Sequence, residues 1–135
     1  MWIASGLSRG FQRWAESLRR RRRPVIRIVA HADRYCVLSD ETLVQEVVTS
    51  DIRRITMFKE DLLAIDSVCA HVEVFSLQEL PVPTIWEEHP GFYDAIGLFS
   101  TLPGFDTDWR AKVILPAFAT NLTVVFDRSG SPPDE

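Results

Sequence analysis

The chain is short of the residue types that most catalytic signatures need. It has six glycines and three histidines, His31, His71 and His89, in 135 residues. So few glycines leave little room for a phosphate cradle. No P-loop, dinucleotide-binding, nucleophile-elbow or paired-histidine zinc motif occurs. Only two cysteines are present, Cys36 and Cys69, too few for a disulfide framework. Both fall in apolar, strand-like contexts, so they read as reduced core thiols in a reducing, cytoplasmic setting. No apolar run approaches the ~20 residues that a bilayer crossing needs.

The same scarcity weakens the metal and nucleophile options. Cys69 and His71 share one face of a strand, and His31 and Cys36 would complete a four-ligand zinc set. Such sites normally show paired short spacings, which are missing here. Cys69 also lacks electropositive neighbours, since Ser67, Val68 and Ala70 flank it. The expectation is therefore no metal, no cofactor and no catalytic residue.

What is present is ordinary core material. The chain is 46% hydrophobic and 25% charged, enough for one domain with a real core. The net charge of -4 conceals a division. Residues 1–24 hold seven arginines and one acid, Glu16, giving +6; residues 25–135 hold eight basic and eighteen acidic residues, giving -10. An acidic body is a poor nucleic-acid surface, because phosphate contacts need clustered Lys and Arg.

The basic leader has one clear pattern. Ile3, Leu7, Phe11, Trp14 and Leu18 recur at helical spacing, with Trp2 beside the first of them. Arg19, Arg20, Arg21, Arg22 and Arg23 follow, and Pro24 ends the pattern. The leader 1–24 is expected to be a basic amphipathic helix that contacts an anionic membrane or a partner, the alternatives being a stripe docked on its own domain or a loosely attached tail. The broken apolar core makes it unlike a secretory signal.

The body, residues 25–128, reads as strands followed by a helix. Val25 to Ala30, Tyr35 to Leu38 and Leu43 to Val48 are short β-prone runs separated by polar turns. Ile55 to Phe58 favours a strand, Lys59-Glu60-Asp61 reads as a polar connection, and Ser67 to Phe75 alternates. Val68, Ala70, Val72 and Val74 take its inner face. Thr84 to Glu87 suggests another short strand. From Phe92 the period changes: Phe92, Ala95, Ile96 and Phe99 mark one helix near 91–102. Leu122 to Phe126 forms the last strand, and 129–135 is a disordered tail by composition. An α+β domain is expected, with an antiparallel curved sheet or partial barrel and one helix closing it.

Three segments carry a resemblance: DIRRITMFKEDLLAIDSV, IWEEHPGFYDAIGLFSTLPGF and the run from Asp108-Trp109 to Arg128. Together, over about residues 43–128, they resemble a group of small bacterial proteins of uncharacterised role with a pleckstrin-homology-like (PH-like) fold. The matching positions are Phe58, Lys59 and Asp61; Glu87 and Glu88; Leu102, Pro103 and Gly104; and residues 116–121. The resemblance implies the fold and no activity.

Candidate binding residues follow from exposure and chemistry. Lys59, Asp61, Asp66, Glu87 and Glu88 are charged residues placed in strand connections. Such carboxylates are able to act as acid and base, although loop acids are mostly just solvated. Trp86 and Trp109 flank the helix and serve either as core caps or as binding anchors. The leading functional expectation is a non-catalytic domain that binds a protein partner through an acidic face or a sheet edge, an immunity or accessory protein being one version. The alternatives are a membrane-peripheral module held by the leader, and a small enzyme using the loop carboxylates with His71 or His89.

Overall fold

The computed structural model describes residues 24–62, 65–114 and 121–128; the side chains of 61, 62, 65 and 66 also stand outside the description. The leader residues Trp2 to Arg23 and the tail 129–135 therefore lie outside the described residues, as do 115–120.

The first three strands are β1 (Ile26–Ala30), β2 (Arg34–Ser39) and β3 (Thr42–Val48). They form an antiparallel sheet in the order β1-β2-β3. Alternation assigns the faces. Ile28, Tyr35, Val37 and Val47 are buried on the inner face, while Arg27, Val29, Arg34, Cys36, Leu38 and Glu46 point outward. Asp40 and Glu41 join β2 to β3 with φ of 50° and 66°. Two successive left-handed residues give the turn whose twist matches the strands it joins. Asp40 also anchors the chain entering β1: its N–H donates to the Val25 carbonyl (2.8 Å), and its carboxylate accepts from the Val25 N–H (3.0 Å). The β2–β3 register shifts between Val37 and Leu38, leaving Val44 as an extra residue in β3.

A single 3-10 turn, Thr49–Asp51, leads into the second sheet. Its strands are β4 (Ile52–Leu62), β5 (Ile65–Val74), β6 (Ile85–Trp86) and β7 (Thr123–Asp127), in the order β6-β5-β4-β7. The expected inner face of β5 is present, with Val68, Ala70 and Val72 buried and Val74 partly so. The opposite face is also closed at Cys69, which is fully buried.

One expectation is corrected here. Lys59-Glu60-Asp61 is not a connection; these residues are part of β4, paired with Val68, Ser67 and Asp66, and the hairpin closes beyond Leu62. The physical reason is the destination of the Lys59 side chain. It is only 4% exposed, on the inner face with Met57, and its Nζ donates to the Ile114 carbonyl at 2.6 Å. A cation there neutralises the negative end of a short helix. Lys59→Met keeps the stem and removes the charge. It should cost about 1–2 kcal/mol in urea denaturation.

Among the described residues two helices complete the fold. The expected one is α1, Phe92–Phe99, which buries Phe92, Ala95, Ile96, Leu98 and Phe99. The second, α2 (Trp109–Ile114), was not expected. Six residues are too few to display a period, and only Trp109 and Val113, one turn apart, are buried. The buried side chains of both sheets and both helices form one cluster. The protein is α+β, with three- and four-stranded antiparallel sheets.

Tyr35 lies within this cluster, fully buried, with its ring edge-on to Phe99 at 5.4 Å. Among the described residues its hydroxyl has no hydrogen-bond partner, and burial pushes its phenol pKa well up. An unpaired buried hydroxyl is a net cost. Tyr35→Phe should therefore raise stability by about 1 kcal/mol, read as a higher denaturation midpoint.

Candidate functional site

Glu87 ties three elements together. Its N–H donates to the Val68 carbonyl (2.8 Å), extending the β5–β6 pairing. Its carboxylate accepts from the Val68 N–H (3.2 Å) and from the Tyr93 hydroxyl. Tyr93 is on α1, and the Arg110 guanidinium of α2 lies 5.6 Å from its ring centre and 5.0 Å from that of Trp109. Burial, then the bond to Glu87, raises the Tyr93 pKa. The structure thus brings Glu87 and Trp109 into one chain through Tyr93 and Arg110, two residues not singled out from sequence. Arg110 beside an aromatic was the available signal, since guanidinium groups stack on Trp and Tyr.

The other nominated residues are placed elsewhere. Lys59 meets the opposite end of α2, at Ile114. Asp61 and Asp66 are partners across the β4–β5 ladder near its hairpin end. Trp86 is half-buried and pairs with Cys69, while Glu88 is exposed. Trp109 is 6% exposed and belongs to the core cluster.

The thiol and imidazoles in this region are already engaged. Cys69 has its pKa pushed up to about 12, chiefly by burial and further by Glu60, Glu87 and Glu88. Its Sγ donates to the Ser67 carbonyl at 3.6 Å. A thiol held protonated is a poor nucleophile. His71 Nδ1 is 3.4 Å from the Thr84 hydroxyl. His89 Nδ1 accepts the Trp86 N–H at 3.2 Å, which places the neutral ring's proton on Nε2. Among the described residues no group of three or more His, Cys, Asp or Glu is placed to hold a metal.

Burial lowers the His89 pKa from the ordinary 6.5, against a smaller opposing effect of Glu88. The unfolded chain then binds the proton more readily. The stabilisation is complete above the unfolded pKa and is lost as pH falls through the lowered folded value. Between about pH 7 and pH 5, denaturation midpoints should fall more steeply for the wild type than for His89→Gln.

An open surface lies elsewhere, at β3. Among the described residues no strand pairs with its outer edge. Leu43 is 57% and Val44 45% exposed. The 75–84 loop stands beside it, because Gln45 Nε2 donates to Gln78 Oε1 (2.6 Å) and Gln78 Nε2 donates to Ser76 Oγ (2.7 Å). Asp51 fixes the loop base by accepting the Ser76 N–H at 3.0 Å. Leu77, fully exposed, and Leu80 add apolar surface there. A shallow groove of about 270 Å³, lined by His71, Glu73, Leu77, Gln78, Pro81 and Val82, runs along the loop.

No protein-family model matches the chain, and no curated protein and no solved structure is significantly similar to it.

Proposed function

We propose that this is a non-catalytic, PH-like domain that binds a protein partner at the outer edge of β3. One observation carries the reading. An edge strand with exposed Leu43 and Val44, next to exposed Leu77 and Leu80, offers both unpaired backbone and apolar side chains. Partners add to such edges through main-chain hydrogen bonds, with side chains supplying specificity. The engaged chemistry of Cys69, His89 and Glu87 supports a binding role over a catalytic one. The charge of -10 on residues 25–135 favours a basic partner, as an immunity or accessory protein of the cytoplasm would have. The resemblance over residues 43–128 supports the PH-like build.

The test is affinity capture with the full chain from cells that express it, at low and high salt, beside a Val44→Lys variant. The expected result is a partner held by the wild type, weakened by salt and lost from the variant. A partner held equally by both, or none at all, overturns the assignment. A second reading is favoured by the charge division. The +6 leader with its aromatic stripe would hold the acidic body at an anionic membrane. Liposome co-sedimentation with and without residues 1–24 tests it; equal sedimentation removes the leader from that role.

A further inference from the structure

The outer face of the β1–β2–β3 sheet is apolar at its centre and charged at its margins. Val29, Cys36, Leu38 and Val48 are half-buried there and Leu43 is largely exposed. The ion pairs Arg27–Glu41 (2.9 Å) and Arg34–Glu46 (3.2 Å) border them. Among the described residues neither helix covers this face. α1 approaches β1 from the core side, where Phe99 meets Tyr35, and α2 packs on β4 and β7.

The chain itself supplies an occupant. Residues 1–23 lead directly into β1, and their five-residue apolar stripe has one-sided helical spacing. From Ile3 to Leu18 a helix would be about 24 Å long. Strands of six or seven residues are about 20–23 Å long, so the two lengths agree. The entry point is fixed by the two Val25–Asp40 hydrogen bonds, which hold Val25 beside the Asp40-Glu41 turn. At that end Asp40 and Glu41 outnumber Arg27, which pairs with Glu41, so one net negative charge stands there.

We infer that residues 3–18 dock in cis across the outer face of β1–β2–β3, with the arginine run reversing the chain at the Asp40-Glu41 turn. Ile3, Leu7, Phe11, Trp14 and Leu18 meet Val29, Cys36, Leu38 and Leu43, and the excess positive charge settles beside Asp40. This use of the leader adjoins the proposed β3 edge contact at Leu43, which is exposed on the strand that both would meet. It competes with a lipid surface for the same stripe.

Cys36 is a built-in reporter, being on the covered face, whereas Cys69 is in the core. In the full-length chain, Cys36 should be alkylated at least about tenfold more slowly in the wild type than in a Phe11→Asp/Trp14→Asp variant, the factor that a modest local-opening equilibrium imposes. Cys69 should stay unlabelled in both, which reports an intact fold. Equal Cys36 rates overturn the proposal. A photo-crosslinking residue at position 11 of the otherwise native chain gives a reading that needs no disruptive variant. Intramolecular crosslinks to peptides of β1 and β2 are expected; crosslinks only to the four-stranded sheet, or only between chains, overturn it.

Discussion

Gly91→Ala should lower the unfolding free energy by about 3–5 kcal/mol and the melting midpoint by about 10–20 °C. Gly91 precedes α1 with φ of 89°, a conformation that L side chains rarely adopt. That alone costs about 1 kcal/mol. The larger part is contact. An added Cβ would lie 1.8 Å from the Ile28 carbonyl oxygen and 2.7 Å from its carbon. Neither atom can rotate away, because both are backbone of a paired strand. Relief requires moving the 90–91 segment off β1, which breaks the Ile28 N–H to Pro90 carbonyl bond of 2.8 Å. The α1 cap and the Tyr35–Phe99 contact would follow. Two other glycines act as controls. Gly104 has φ of 85° but open space around its Cβ position, so its alanine variant should lose only about 1 kcal/mol. Gly97 is inside α1 with nothing within 4 Å, so Gly97→Ala should gain about 0.5–1 kcal/mol. A Gly91 variant no worse than the Gly104 variant would refute the contact argument.

Arg128→Ala is the second large effect, at about 2–3 kcal/mol, visible as a lower urea midpoint with an unchanged slope. Its Nη1 donates to the carbonyls of Ser50 (2.9 Å) and Ile52 (3.0 Å), with Thr49 at 3.4 Å. Its guanidinium lies 5.0 Å from the Phe126 ring centre, and its N–H donates to Arg53 O at 2.7 Å. One side chain therefore closes the 3-10 turn where the chain passes from one sheet to the other. Bonds from a charged donor are worth about twice neutral ones, and the freed carbonyls are partly shielded from water. Arg128→Lys should recover less than half, since an ammonium cannot keep both the planar stacking and the carbonyl contacts.

These two residues mark what one sequence conceals. The β5 alternation and the α1 period were legible because each repeats over eight or more residues and one face is buried. A polar turn between β2 and β3 was legible from composition, though not its two-residue form at Asp40-Glu41. Lys59 misled because a lysine followed by two acids resembles a solvated turn, and its inward contact with Ile114 is visible once α2 is placed. Gly91 and Arg128 act on backbone atoms 63 and about 76–79 residues away in the chain. No local pattern records such partners. The candidate site was read in part: Glu87 and Trp109 were named, whereas Tyr93 and Arg110, which connect them, were found only once α1 and α2 were placed. The β3 edge was invisible to pattern alone, since a strand's sequence does not say whether a neighbour lies on both sides.

The pairing of β7 with β4 has a consequence for how the protein is made. Arg54 pairs with Asp127, so the four-stranded sheet joins segments separated by both helices and most of the second half of the chain. Such long-range closure is slow in comparison with local hairpins. During synthesis β4 and β5 emerge as a hairpin, and its β4 edge stays open until residues 123–127 leave the ribosome. Val125 and Phe126, which complete the core there, arrive at the same late moment. A nascent chain stalled before Thr123 should accordingly be protease-sensitive and recruit chaperones, whereas release of a few residues beyond Arg128 should convert it to the resistant form.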